Sequence, residues 1–283
     1  MAESDRRNKR SVEKPPESLQ FGFYNIGWTD AHLSGENYEM YRERLGKECA
    51  QAFDLNRLGM LCLCEVGNNR LDENPDAHLG NSTGFQDKYP GQNVNIWLEE
   101  AIRKFKTDIA LQTYVLGPYA IVLNNNICRF QTSPQLTNPL VTEEGTDHTY
   151  RRAARSVIQV LPCGPIIEVW VHQASSKERM YTLVARQQTM EYFFSRGSPY
   201  AIVGGNLNMS SLEIRSALRA WASRPGNSRK DWQIHVLRKA RQGDLALTKG
   251  LTANQIAVTG VGLPTIDTHE LVVVKVTKLP ICL

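Results

Sequence analysis

The sequence has 283 residues, of which 41% are hydrophobic and 22% are charged, proportions typical of a globular protein with a sizeable core. Its formal net charge of +4 permits an anionic partner without requiring one. No apolar run approaches the roughly 20 residues that span a bilayer, and the charged N-terminus lacks the apolar core of a secretion signal, so an intracellular protein is expected.

The first 18 residues, MAESDRRNKRSVEKPPES, are rich in charge and poor in large apolar side chains. This composition predicts a disordered basic tail, and the fold is expected over residues 19–283 as a single domain. The six cysteines include no C-x-x-C pair, and most lie among apolar neighbours. They are therefore expected to be buried, reduced thiols and not zinc ligands.

The first predicted elements are a short aromatic strand in FGFYNIGW and a helix in ENYEMYRERLGKECAQAFDLN. This helix would carry Tyr41, Leu45, Cys49 and Ala52 on one face. The apolar run LGMLCLCEVGN comes next, and it ends in a charge. A long polar loop is expected at residues 67–92.

In the middle of the chain, NIWLEEAIRKF predicts a helix, and IALQTYVLG and YAIVLNN predict strands. A second long loop is expected at about residues 125–150. ARSVIQVLP and IIEVWVHQ predict a pair of strands joined at Pro162–Pro165. Long loops inside a compact domain are often functional, so the loops at 67–92 and 125–150 are the expected specificity elements.

Toward the C-terminus, SKERMYTLVARQQTMEYFFSR predicts a helix and YAIVGGN predicts a strand. SLEIRSALRAWAS predicts a further helix, opened by Ser210 or Ser211 as N-cap. GDLALTKG and HELVVVKV predict the last strands. Strand pairs without an intervening helix favour a mixed, largely antiparallel α/β arrangement with helices outside. One face of the first of these helices is expected to carry Leu183, Gln187, Met190 and Phe194.

Polar side chains recur at the ends of the predicted apolar strands. Side chains two positions apart on a strand share a face, so Asn206 would accompany Asn208, and Asp267 would accompany His269. Such strand ends could converge on one rim and form a site there. The residues concerned are Asn25, Glu65, His172, Asn206, Asn208, Asp244, Asp267 and His269.

These residue types suit hydrolysis at phosphorus. Glu65 can bind Mg²⁺, which prefers oxygen ligands, whereas an asparagine can ligate through its carbonyl or hold a phosphate oxygen through its amide. His269 with Asp244 is the candidate proton-transfer dyad. His172 either donates to a phosphoryl oxygen or packs as a core histidine, and the sequence leaves both open.

These motifs, in their order along the chain and in their short sequences, resemble those of the endonuclease/exonuclease/phosphatase (DNase I-like) superfamily. The matching pieces are YNI, CEVGN, VHQASS, GNLN, GDLAL and DTHELVVV, and together they span about residues 20–278. The resemblance implies a four-layer α-β-β-α sandwich of two mixed, largely antiparallel sheets with the site at one end. It also implies Mg²⁺, with Mn²⁺ as an alternative, held by Glu65, and His269 as acid/base helped by Asp244.

Two departures from that pattern bear on metal binding, and a third concerns the strand before His172. Asn206 and Thr268 stand where the family has Asp, and Asp267 lies one residue before Thr268 and could take its place as a metal ligand. An amide cannot become an anion, and ligand charge tunes metal affinity. Trp170 also stands where an N-x-H pattern would have Asn. The site is therefore fully active, slow, or limited to binding.

Basic residues in RRAAR could reach a phosphate, because Arg152 and Arg155 lead from a loop into a strand. With Asn25 they are the candidate substrate-binding residues, whereas His235 is expected to be structural or at the surface. The predicted function is a Mg²⁺-dependent phosphodiesterase or phosphatase, nuclease-like, whose partner is a phosphoester substrate such as nucleic acid. The alternative is a weakened or inactive relative that binds phosphate or nucleic acid.

Overall fold

The computed structural model describes residues 16–26, 38–64, 94–116, 119–137, 153–173, 183–196, 198–228, 231–237, 244–261 and 270–279. The described helices are α1 (Tyr38–Asn56), α2 (Val94–Arg103), α3 (Leu183–Phe194) and α4 (Ser211–Ala222). The strands are β1 (Ser18–Asn25), β2 (Leu58–Cys64), β3 (Leu111–Leu116), β4 (Tyr119–Asn124), β5 (Cys128–Thr137), β6 (Ala153–Val160), β7 (Ile166–Val171), β8 (Ala201–Asn206), β9 (Trp232–Val236), β10 (Asp244–Lys249), β11 (Ile256–Val261) and β12 (Leu271–Thr277).

The strands form two six-stranded sheets. The first sheet has the order β11-β12-β1-β2-β4-β3, and the second has the order β5-β6-β7-β8-β10-β9. In each sheet one neighbouring pair is parallel, β1 with β2 and β7 with β8, and the others are antiparallel. Each parallel pair is joined through a helix, α1 or α3, because parallel neighbours need a crossover connection.

The main core lies between the two sheets, where alternate residues of each strand face inward. Phe21 and Phe23 of β1 belong to this core together with Ile202 of β8. At Gly204 the sheets come so close that a Cβ would lie 2.4 Å from the Phe23 ring. Any side chain at Gly204 would therefore push the sheets apart.

Helices cover the outer face of each sheet and complete four layers. Leu45 and Phe53 of α1 and Leu98 of α2 pack on the first sheet in one apolar cluster. Phe193 of α3 and Leu218 of α4 pack on the second sheet in another. The α-β-β-α sandwich of mixed, largely antiparallel sheets is thus confirmed. None of the four described helices has an apolar stretch long enough to cross a membrane.

Two sequence-based expectations about elements were wrong. The loop expected at about 125–150 contains β5, and the prediction overlooked β9 and β11. All three are edge strands with mostly polar or half-exposed side chains, so they lack the apolar pattern from which strands are predicted. Gln187 is exposed and does not lie on the buried face of α3.

Four cysteines in the described residues are buried free thiols, as expected, and Cys163 is an exposed one. Burial raises the pKa of the Cys49 and Cys62 thiols and that of Cys128 to about 12. These thiols therefore stay protonated at neutral pH and unreactive. The predicted basic tail lies almost wholly outside the described residues.

Candidate functional site

The candidate site is assembled from strand ends. In the first sheet, Asn25 at the end of β1 pairs with Cys64 at the end of β2, and Cys64 pairs with Tyr119 at the start of β4. In the second sheet, Asn206 at the end of β8 pairs with Asp244 at the start of β10. Asn25 therefore lies at one end of the first sheet, and Asn206 and Asp244 share one end of the second.

A hydrogen bond between the sheets places both sets of strand ends at the same end of the sandwich. The backbone N–H of Gln173, just beyond β7, donates to Tyr119 Oη at 3.0 Å. Both residues are buried. Because Tyr119 lies opposite Cys64 and Gln173 follows His172, this bond brings the end of β2 to the end of β7. We call this end the site end.

The longest connections of the chain also begin or finish at the site end. Residues 27–37 follow β1, residues 65–93 follow β2 and residues 138–152 join β5 to β6. At the opposite end the connections are shorter, as in residues 125–127 and 161–165. Because loops carried by a rigid scaffold often hold binding residues, this asymmetry favours function at the site end.

The end of β8 and the turn after it have backbone conformations that depend on one glycine and two asparagines. Gly205 has φ of +119°, and a Cβ on it would lie 2.3 Å from the carbonyl oxygen of His172. Only glycine fits both constraints. Asn206 Oδ1 then accepts a hydrogen bond from the backbone N–H of Asn208 at 3.1 Å, and Asn208 is left-handed with φ of +46°. Asparagine suits both positions.

Helix α4 begins immediately after this turn and is fixed by a capping box. Ser210 is the N-cap, and its Oγ accepts from the backbone N–H of Glu213 at 3.3 Å. Glu213 Oε2 accepts in return from the Ser210 N–H at 2.7 Å and from its hydroxyl at 2.8 Å. The predicted cap is confirmed at Ser210, and it anchors the far side of the turn.

Asn25 and Asn206 are buried at the site end, with exposures of 5% and 7%. Asn25 follows Phe21 and Phe23 at alternate positions of β1, so it continues their inward face. A buried amide at the end of an otherwise apolar strand face needs polar partners. Both asparagines are therefore buried polar side chains at the site end, and their contact with a phosphate remains a prediction.

His172 is buried at the site end but contacts the core. Its ring is 1% exposed and meets Phe193 of α3 edge-on, with the ring centroids 5.6 Å apart. Its backbone N–H donates to the Gly204 carbonyl at 3.0 Å, which continues the pairing of β7 with β8. These contacts agree with the core-histidine interpretation, and phosphate donation by His172 remains a prediction.

Arg155 lies on the outer face of the second sheet, beneath α3. Its Nε donates to Glu168 Oε1 at 2.5 Å, and its guanidinium lies 5.7 Å from the centre of the Trp170 ring. Trp170 is itself buried against Phe193 and Tyr192. Arg155 is thus engaged in an ion pair, and its predicted contact with substrate would require a change of partner.

Several predicted residues lie outside the described part of the chain. Of Asp244 only the main chain is described, and within the described ranges no three His, Cys, Asp or Glu residues are grouped to hold a metal ion. Cys64 directly precedes the segment that contains Glu65, and Glu270 directly follows the segment that contains Asp267, Thr268 and His269. Cys64 lies at the site end, and Glu270 precedes Leu271, the first residue of β12. The residues outside the described ranges are Glu65, Arg152, Asp267, Thr268 and His269.

Sequence reasoning missed Tyr119 and Gln173, which connect the two sheets at the site end. They are 54 positions apart, Tyr119 belongs to no motif, and Gln173 stands in VHQASS only as the neighbour of His172. A tyrosine opening a strand and a glutamine closing one carry no signal of contact. Only the register of the two sheets brings them together.

No family model and no curated protein matches the sequence, whereas solved structures match its fold. A humanized TDP2 from D. rerio is 10% identical, with a TM-score of 0.57 over 92% of this chain and 99% of that one. An endonuclease/exonuclease/phosphatase from Bacteroides vulgatus is also 10% identical, with a TM-score of 0.57 over 93% and 99%. D. rerio TDP2 complexed with a single-strand DNA product gives a TM-score of 0.54 over 92% and 99%, at 10% identity. The chain therefore has the endonuclease/exonuclease/phosphatase fold, as the sequence resemblance implies.

Proposed function

We propose that this protein hydrolyses phosphoester bonds at the site end, with a nucleic-acid strand as substrate. The observation that carries the proposal is the Gln173–Tyr119 hydrogen bond, which brings the ends of β1, β2, β7, β8 and β10 to one end of the sandwich. Support for nucleic acid comes from the structurally similar D. rerio TDP2, which was solved with a single-strand DNA product, and from the net charge of +4.

Each predicted residue has a role in this proposal. His269 moves the proton between water and the leaving oxygen, and Asp244 orients its ring. Asn25 and Asn208 hold phosphoryl oxygens through their amides, with His172 as a further donor. Arg152 and Arg155 would contact the phosphate chain beyond the scissile bond. Preorganised donors of this kind stabilise charge that develops in the transition state.

The fold and the sequence also imply a divalent cation, Mg²⁺ or Mn²⁺. Glu65 follows directly on Cys64 at the site end, and oxygen ligands such as Glu65 and Asp267 suit Mg²⁺. When bound, the ion would offset negative charge on the phosphate. The remaining tasks, which are orientation of the phosphate and movement of the proton, belong to the chain's own residues.

A second candidate function, binding without turnover, is favoured by Asn206. This residue stands where the resemblance expects a carboxylate, and its amide cannot carry the charge that helps to hold a cation. Asn206→Asp separates the two functions, because the carboxylate can still accept from the Asn208 N–H. Cleavage that rises about tenfold with Mg²⁺ would identify a weakened enzyme. Unchanged absence of cleavage would support a binding protein.

The direct test is cleavage of single-stranded DNA and nicking of a supercoiled plasmid, with Mg²⁺ and with chelator. We expect Mg²⁺-dependent products that are lost in Glu65→Gln and His269→Ala. Glu43→Gln is the matched control, because Glu43 is exposed on α1 beside Lys104. Cleavage that survives both site substitutions would contradict the proposed site.

A further inference from the structure

The side chain of Asn206 shows which of its polar atoms is available to a ligand. One atom of its amide lies 3.1 Å from the backbone nitrogen of Asn208. Because a backbone N–H can only donate, the atom that faces it is Oδ1, and the other is Nδ2. The turn therefore fixes the amide in an orientation that leaves its N–H groups for other partners.

Nδ2 of Asn206 has no acceptor within the part of the chain that the structure describes. The side chain is nevertheless only 7% exposed. Nδ2 is not among the side-chain atoms of the described residues that are closed off from solvent without a hydrogen-bond partner, so it is the part of this mostly buried side chain that is open at the site end. A ligand that accepts a hydrogen bond can therefore reach it.

Glu213, on the first turn of α4, does not supply the missing carboxylate. Its Oε2 accepts from both the N–H and the hydroxyl of Ser210, at 2.7 and 2.8 Å. The same carboxylate closes the capping box of α4. Moving it toward the turn would break both of these hydrogen bonds. The charge lost at Asn206 is thus not restored by this neighbouring acid.

We propose that Asn206 is an anion-binding residue whose Nδ2 donates to a phosphoryl oxygen, so that the site holds phosphate without a divalent cation. The inference rests on the proposed function, which locates the phosphate at the site end. It differs from the carboxylate chemistry expected at this position, because an N–H donor attracts an oxygen anion and disfavours a metal ion.

The test is the affinity of the full chain for inorganic phosphate in the presence of EDTA, measured by calorimetry. Asn206→Asp keeps the acceptor for the Asn208 N–H but replaces the donor by a negative charge. Asn206→Ser keeps an acceptor for the turn and removes Nδ2 without adding charge. Asn126→Asp is the matched control, because Asn126 is exposed in the short connection at the opposite end.

Wild-type protein should bind phosphate in EDTA. Asn206→Asp should weaken this binding by about tenfold or more and Asn206→Ser by about fivefold, because a hydrogen bond to a charged group is lost. Asn126→Asp should bind as wild type does, and all variants should unfold within about 2 °C of wild type. Equal binding by wild type and both Asn206 variants, or no binding by wild type, would overturn the inference.

The phosphate-binding measurement and the cleavage assay can fail separately. A protein that binds phosphate through Asn206 but cleaves no phosphoester would support the anion-binding role and contradict hydrolysis. A protein that cleaves DNA, but whose affinity for phosphate is the same in wild type and in the Asn206 variants, would support hydrolysis and contradict the anion-binding role.

Discussion

At the scale of single residues, the turn after β8 depends most on Gly205. Its φ of +119° lies in a region that residues with a Cβ rarely adopt, and the His172 carbonyl fills the space beside it. The glycine thereby sets both the direction of Asn206 and the spacing between β7 and β8. Replacement of Gly205 should therefore affect stability and the site together.

Gly205→Ala should lower the free energy of unfolding by about 3 kcal/mol or more, because backbone strain and a steric clash add. Gly226→Ala is the matched control: Gly226 has φ of +82° but nothing within 4 Å of a Cβ. It should cost only about 1 kcal/mol. Urea unfolding measures both, and equal losses would contradict the close approach to His172.

The residue scale also shows how far sequence reasoning reaches. Asn25 and Asn206 could be predicted because each ends an apolar strand, so that a polar side chain stands out there. The ion pair of Arg155 with Glu168 could not be predicted, since it depends on the register of β6 against β7. A basic residue near a loop carries the same signal whether it binds phosphate or a buried carboxylate.

At the scale of elements, the Arg155–Glu168 pair joins β6 to β7. The Glu168 side chain is 4% exposed and that of Arg155 is 40% exposed. Arg155→Met should destabilise the protein by about 2 kcal/mol, because it leaves a buried carboxylate unpaired. The double variant Arg155→Met/Glu168→Met should recover most of this loss.

The matched control for this cycle is Arg103→Met, which removes a half-exposed pair with Glu99 within α2 and should cost less than about 0.5 kcal/mol. Urea midpoints give all of these values. If the double variant is as unstable as the single one, the ion pair is not what Arg155 contributes.

One side-chain hydrogen bond between β9 and β10 involves a titratable residue, His235. His235 hydrogen-bonds Thr248 Oγ1 through Nε2 at 2.9 Å, and burial lowers its pKa from 6.5. The unfolded chain therefore binds a proton more readily than the folded one. Stability from neutral His235 is present above pH 6.5 and is lost as the pH falls toward the lower, folded pKa.

We expect the free energy of unfolding of wild type to fall more steeply between about pH 7 and pH 5 than that of His235→Gln. Glutamine can still hydrogen-bond Thr248 but does not titrate. The difference between the two urea-unfolding curves isolates His235 from the other five histidines. Parallel curves over this range would show that His235 has the same pKa in both states.

Elements also differed in how well they could be predicted. The central strands β2, β4 and β8 are buried along their whole length, so each is a continuous apolar run. The edge strand β5 buries few of its side chains and includes Pro134, a residue tolerated mainly at sheet edges. β5 is a strand because it pairs with β6, and the pattern of apolar residues within β5 does not predict that pairing.

At the scale of the whole molecule, the two ends of the sandwich differ in the length of the connections between their strands. The opposite end holds short connections such as residues 125–127 and 161–165, whereas the site end receives the long ones. The Tyr119–Gln173 hydrogen bond joins the two sheets at the site end, where Asn25 and Asn206 are buried. The order of short motifs along the chain was enough to predict this architecture, because that order resembles a family with this fold.

The most direct test of the site end is a map of where nucleic acid binds. Backbone amide signals of ¹⁵N-labelled His269→Ala protein, which should not turn over, would be followed while a short oligothymidylate is added with Mg²⁺. We predict shifts at Asn25, Asn206 and the neighbouring strand ends, and none at Asn126 or Gly164 at the opposite end. Shifts confined to the opposite end, or to the exposed surface of α1 and α2, would contradict the account.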